Sequence, residues 1–395
     1  MRALLGLLIA ACVAVPLPSQ SPSTTAIPLA VPSPTATAAP ITSAPSRVLG
    51  PESTYGLLVT ADPGRFSWKV RRENDPAALV TIAGDWPSVS PDGKTIAFWA
   101  PAGVRTQLRI VSASGGPERT LLTLPAEERG ETIAWGTGSS GLAVGVDANA
   151  ILHGGIDPAP SFSAIRTIDL LSGEAREVMR RDETRLRPFG WARGPRLVVA
   201  AEFGGLGRII AYVRAGEDGT VVRDVFDTSA SADCTHAIAL RLDTAATTIM
   251  SIQPQRCSDG SGKAPGGSIL RLWPIGQGSA QAQVYDLGSV FLLDAQFRPG
   301  ALEFVTVVAR GTTLVAQLWQ GRTSRDLTTI AITSAGVQDA FVFRPNAAVL
   351  LLYWPSQATA NAIAWHGRLV DVTSDKVADF ELGADRPIAS VYLGP

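Results

Sequence analysis

The chain has 395 residues, with 34 Lys and Arg against 35 Asp and Glu. That balance excludes nucleic acid as the main partner, because neutralising phosphates takes a basic face. The length allows two or three domains, or one domain built from repeats. No sustained 3.6-residue apolar pattern follows residue 50, so long helices are not expected.

Met1-Arg2 leads into a nearly all-apolar run, Ala3 to Ala11, and then Cys12. One positive residue before a short apolar run is the pattern of a secretory signal. The run is too short to span a bilayer as a helix. Residues 1–11 are therefore read as a signal peptide. Ile9-Ala10-Ala11-Cys12 resembles the lipobox of bacterial lipoproteins. The resemblance implies cleavage before Cys12 and diacylglycerol on its thiol. It places the chain outside the cytoplasm, anchored to the bacterial membrane, with plain secretion as the alternative. More than one acyl chain makes such an anchor stable, at about 0.8 kcal/mol per buried CH₂. From Val13 to about Gly50 the chain is mostly Pro, Ser, Thr and Ala, uncharged before Arg47. Such a stretch has too little apolar surface to offset ordering entropy. Residues 12–50 read as a tether and 51–395 as the folded domain.

Trp86-Pro87-Ser88-Val89-Ser90-Pro91-Asp92-Gly93-Lys94-Thr95-Ile96-Ala97-Phe98-Trp99 is a short strand, a tight turn and a second, apolar strand. Ser, Pro and Gly at the first, second and fourth corners suit a type I turn. Comparable turns begin near Gly136, Ala192, Leu242, Arg298 and Arg344, a period of about 50 residues with variable insertions. Trp135, Trp191, Phe297 and Phe343 precede their turns. Apolar runs such as 142–144, 197–199, 304–307 and 349–352 follow them. Each unit offers two further strands, which makes four per unit, the content of a propeller blade. Small residues in the first strand, Ser88, Ala134, Gly190, Ala239 and Ala295, suit a crowded axis.

The ends complete the pattern. Ile388 to Tyr392 reads as an inner strand with no blade after it. Tyr55–Thr60, Phe66–Arg71 and Leu79–Ile82 read as three strands with no inner partner. Joining them gives an all-β chain, a β-propeller of seven four-stranded blades closed by the C-terminal strand. Six blades are the alternative, with the Leu242 unit the weakest copy. Closure also removes sheet edges that would invite aggregation. The stretch from Trp86 to Phe98 resembles the repeat of TolB-type propellers, an aromatic residue, Ser-Pro-Asp-Gly, Lys and an Ile-Ala-Phe-like strand. The resemblance implies a propeller over 51–395 and no particular partner. Relatives of this kind also form the propeller half of prolyl-oligopeptidase-like peptidases. No hydrolase segment is expected here, and no Gly-x-Ser-x-Gly elbow is present to open one.

His153, His236 and His366 show no metal-ligand spacing, so neither metal nor cofactor is expected. Trp365-His366-Gly367 reads as a strand end or turn. Cys234 and Cys257, an even pair in an exported chain, read as one disulfide. It would close a loop of about 22 residues and stabilise by roughly 3 kcal/mol. Asp259 to Lys263 and Phe203 to Gly207 lack the phosphate-loop and dinucleotide spacings. Glu127-Glu128 and Asp182-Glu183 read as solvated charge between blades.

In a propeller the loops between second and third strands and those between blades share one face. Here that face takes the longest insertions, 147–162, 181–188, 227–234 and 253–267. Trp99, His153, Asp157, Arg185, Phe203, His236 and Trp354 form its candidate binding residues, since loops over a rigid scaffold carry function. The leading expectation is a non-catalytic, lipid-anchored propeller that binds an envelope protein, a peptide or a glycan. The alternative is a glycan-active hydrolase or lyase that uses His153, Asp157 and Arg185.

Overall fold

The computed structural model of the chain describes residues 57–61, 67–72, 78–136, 138–148, 160–192, 197–204, 209–225, 239–243, 245–253, 268–276, 282–288, 290–297, 303–332, 340–343, 349–359 and 362–391. These residues are strands and connections, with no helix among them. They form seven four-stranded antiparallel sheets.

The first sheet holds β1 (Leu57–Ala61), β2 (Ser67–Arg72) and β3 (Ala78–Ala83). The second is β4 (Asp85–Val89), β5 (Thr95–Ala102), β6 (Arg105–Ser112) and β7 (Arg119–Thr123). The third is β8 (Glu128–Trp135), β9 (Gly141–Ala148), β10 (Phe162–Asp169) and β11 (Ala175–Asp182). The fourth is β12 (Arg185–Ala192), β13 (Leu197–Phe203), β14 (Ile209–Gly216) and β15 (Val221–Val225). The fifth is β16 (Ala239–Leu242), β17 (Thr248–Gln253), β18 (Ile269–Pro274) and β19 (Gln283–Asp286). The sixth is β20 (Phe291–Phe297), β21 (Phe304–Arg310), β22 (Thr313–Gln320) and β23 (Thr323–Ala331). The seventh is β24 (Phe341–Phe343), β25 (Val349–Thr359), β26 (Ala362–Asp371) and β27 (Val377–Gly383). Last comes β28 (Arg386–Val391), which pairs with β1 in the register Leu57↔Val391 to Ala61↔Arg386 and completes the first sheet.

The inner strands β4, β8, β12, β16, β20, β24 and β28 adjoin one another in that order, and β28 adjoins β4. The ring is therefore a seven-bladed β-propeller closed by its C-terminal strand. The six-blade alternative does not hold, because the Leu242 unit is the complete sheet β16 to β19.

Burial explains the apolar runs after each turn. A second strand is covered on both faces by neighbouring blades, so successive residues must both be apolar. Leu142, Val144 and Val146 of β9 pack with Trp99 and Leu108 of one neighbour. Ala143 packs instead with Leu186, Val198 and Val213 of the other. The aromatic residue before the turn has a second task. The Trp135 indole N–H donates to the Ser88 carbonyl at 3.1 Å, and that of Trp191 donates to the Ala134 carbonyl at 3.4 Å. Each inner strand is thus fastened to the one before it. Gly190 is small for a related reason: a Cβ there would lie 2.5 Å from Leu242 of the next inner strand.

The repeat keeps its turn geometry where it loses its residues. Ser90 N–H donates to the Thr95 carbonyl, Gly93 N–H donates to Ser90, and Gly93 has φ 69°. The same pair of bonds recurs from Gly136 to Gly141 and from Ser139 to Gly136, and again from Asp243 to Thr248 and from Ala246 to Asp243. Ser139 (φ 59°) and Ala246 (φ 56°) hold the left-handed place of Gly93. The Asp243 carboxylate accepts the Thr248 N–H at 2.8 Å, the role that the Ser90 hydroxyl plays for Thr95 at 2.9 Å. Gly93→Ala is therefore expected to cost about 1 kcal/mol, the penalty for a Cβ at this φ. The urea midpoint measures it. A loss of several kcal/mol would show that Gly93 does more than its counterparts.

Candidate functional site

Four-stranded blades send the links between second and third strands, and those between blades, to one end of the ring. All inner strands begin at that end, so their first residues encircle its mouth. Most of these strands carry a bulge. One strand residue too many faces the partner at Trp86-Pro87, Glu131-Thr132, Phe189 and Leu293, and also in β28 opposite Val59 and Thr60. Bulges bend a strand and re-aim its side chains.

Trp86 is the unusual member. It has φ 53° and is 48% exposed. A bulky residue in left-handed backbone carries about 1–3 kcal/mol of strain, and such strain gathers at sites of function. Trp86 thus combines a local cost with a large apolar ring that the fold leaves in water.

The next two inner strands supply charge. Arg187 grips the buried Asp147 carboxylate with two bonds, Nη1 to Oδ1 at 2.9 Å and Nη2 to Oδ2 at 2.7 Å. Arg187 also lies 3.5 Å from Glu131, and Arg185 lies 3.9 Å from Asp147. Burial pushes the Glu131 carboxyl above the usual range, against the pull of Arg187. Two cations and two carboxylates so held keep their positions before any ligand arrives, which lowers the ordering cost of binding.

The residues read from the sequence as a binding face fall into three groups. Arg185 stands at the mouth, in the network just described. Phe203 is half-buried against the core between its blade and the next. Trp99 and Trp354 are not on the face. Trp99 is 1% exposed; its indole lies against Gly130, and its N–H donates to the Glu131 carbonyl at 2.6 Å. Trp354 is 9% exposed, within the core shared with β21 and β22. The physical reason is strand length and direction. β5 runs on to Ala102 and β25 to Thr359, so both residues lie within a strand and not at its end, and side chains perpendicular to a sheet point into the neighbouring blade. Cys12, His153, Asp157, Cys234, His236 and Cys257 lie outside the described residues.

Two other readings change. Glu128 is not solvated charge: it is buried at the start of β8 and takes a bidentate pair from Arg166 at 2.6 and 2.8 Å. His366 is not at a strand end but within β26, between Ser356 and Glu381. Trp86, by contrast, is a mouth residue that no pattern in the sequence singles out, since it stands inside the best copy of the repeat.

No protein-family model matches the chain, and no curated protein matches it. Solved structures do. An oligogalacturonate lyase from Vibrio parahaemolyticus matches 84% of this chain and 92% of its own, at 12% identity and a TM-score of 0.53. The β-propeller domain of the Trilobed protease from Pyrococcus furiosus matches 81% of this chain and 98% of its own, at 12% identity and a TM-score of 0.50. TolB from Acinetobacter baumannii matches 87% of this chain and 67% of its own, at 11% identity and a TM-score of 0.47. At such identities the first two likenesses show the fold alone. That fold is the one the Ser-Pro-Asp-Gly repeat implied.

Proposed function

We propose that this is an extracytoplasmic propeller, tethered through lipid on Cys12, that binds a protein, peptide or glycan at the mouth of its ring. The mouth holds its ligand and does no chemistry on it. Trp86 carries the reading. Its exposed indole offers a flat apolar surface for a sugar ring or an apolar side chain. Arg185 and Arg187, held by Asp147, supply fixed donors for carbonyl or carboxylate groups.

The test compares the wild type with Trp86→Ala in envelope pull-downs and on a glycan array. We expect the variant to fold and to lose its ligand at least tenfold. The same ligands at the same strength would overturn the reading. Anchoring has its own test: Cys12→Ser should move the mature domain to the soluble fraction. A variant that stays with the membrane excludes lipid on Cys12 as the anchor.

A further inference from the structure

The seventh blade carries a group of side chains that the binding reading does not use. β25 and β26 are paired from Val349↔Asp371 to Thr359↔Ala362. The inner strand β24 covers only Leu351 to Tyr353, and β27 reaches only to Trp365. Residues 355–359 and 362–364 therefore extend past the four-stranded sheet as a two-stranded arm at the long-loop end. Among the described residues, no strand pairs with β25 beyond Tyr353 on its inner side. Ser356 lies on this arm.

Ser356, His366 and Glu381 stand on one face of three adjacent strands. Ser356 Oγ is hydrogen-bonded to His366 Nε2. His366 Nδ1 lies 2.9 Å from Oε1 and 2.7 Å from Oε2 of Glu381. An ionised carboxylate only accepts, so Nδ1 carries a proton. In the neutral ring Nε2 is then the acceptor, and the serine hydroxyl must donate to it. This is the tautomer a general base needs. The ring plane is fixed as well. His366 stacks on the Trp354 indole, with centroids 5.7 Å apart and planes 20° apart. Arg368, locked to Asp379 by bonds of 2.5 and 2.7 Å, lies over the same indole at 5.8 Å. Solvent reaches the group: the His366 side chain is 24% exposed and that of Glu381 is 71% exposed.

The geometry points to Ser356 as an activated nucleophile toward carboxylic esters, with His366 as its base and Glu381 as the residue that positions His366. Ser356 Oγ forms the bond to the acyl carbon while its proton passes to His366 Nε2. The ester C–O bond breaks, and the leaving alcohol takes the proton from Nε2. Water then attacks the acyl-serine by the reverse proton path, releasing the acid and restoring the hydroxyl. The site is on the outer part of one blade, apart from Trp86, so the two readings stand or fall separately.

The full-length chain in detergent is treated with a fluorophosphonate probe, the adduct is located by peptide mass mapping, and p-nitrophenyl acetate hydrolysis is followed. We expect one adduct on Ser356. Ser356→Ala and His366→Gln should each lower ester turnover at least 100-fold, the scale of general-base catalysis. Glu381→Gln should lower kcat about tenfold with KM unchanged, which a merely structural role would not do. Circular dichroism and the thermal midpoint establish that each variant is folded. An unlabelled Ser356 in the wild type, or turnover within twofold of wild type in folded Ser356→Ala, overturns the assignment.

Discussion

Trp99→Ala should destabilise the ring by about 3–5 kcal/mol, the range for removing a large aromatic side chain from a packed core. The indole is 1% exposed and joins the second blade to the third. A Cβ on Gly130 would lie 2.0 Å from the indole ring, so the glycine is the floor on which the indole rests. Truncation also leaves the Glu131 carbonyl without the indole N–H it now accepts. The thermal midpoint should fall by roughly 4–7 °C, taking about 2.1 cal/mol/K of unfolding entropy per residue over the whole ring. The pair can be tested for coupling. Gly130→Ala alone forces the indole to move and should cost about 1–3 kcal/mol. Added to Trp99→Ala, the same change should cost almost nothing, because nothing remains to collide with. Full stability in Trp99→Ala, with ligand binding lost, would return Trp99 to the binding face on which its sequence position put it.

That reversal marks where the sequence stops being legible. The ring could be read because a blade is a local object. Its hairpin turn, its apolar second strand and its spacing all lie within about 50 residues. Even the closure was visible, since Ile388 to Tyr392 and Tyr55 to Thr60 were each incomplete alone, and the structure pairs β28 with β1. The face is different, because it depends on contacts between blades. Trp99 meets Gly130, Arg187 meets Asp147 across 40 positions, and Arg241 meets Asp294 across 53. No local pattern announces which residue of a second strand points into a neighbour or how far that strand runs. Bulges add to the difficulty. One extra residue in an inner strand reverses the alternation beyond it, so the side of Glu131 or Asp294 cannot be counted from the turn. Trp86 is hidden for the opposite reason: it sits inside the best copy of the repeat, where a left-handed tryptophan is invisible in the letters.

Asp294 makes the most demanding of these contacts between blades, and its titration should register in stability. It follows the bulge of β20 and gathers three donors. Arg241 of β16 approaches Oδ1 at 3.1 Å, the Ala295 N–H donates to Oδ1 at 2.8 Å, and the Val342 N–H of β24 donates to Oδ2 at 3.0 Å. One carboxyl thus ties three successive inner strands. Asp294→Ala should cost about 3 kcal/mol, the low end for breaking a buried pair because the Arg241 side chain is 34% exposed. The pH dependence follows from burial. Loss of solvent pushes the Asp294 carboxyl above the usual range, more strongly than Arg241 and the two N–H donors pull it down. A carboxyl raised in the folded chain favours folding most below its unfolded pKa, and that favour is lost as pH climbs through the folded value. Asp294→Asn cannot titrate, so the stability gap between wild type and Asn should be widest in acid and narrow as pH rises above about 4, the ordinary carboxyl value. Urea midpoints at several pH values read the gap directly. A gap that widens with pH would mean that Arg241 outweighs burial and that the ionised pair holds the three strands together.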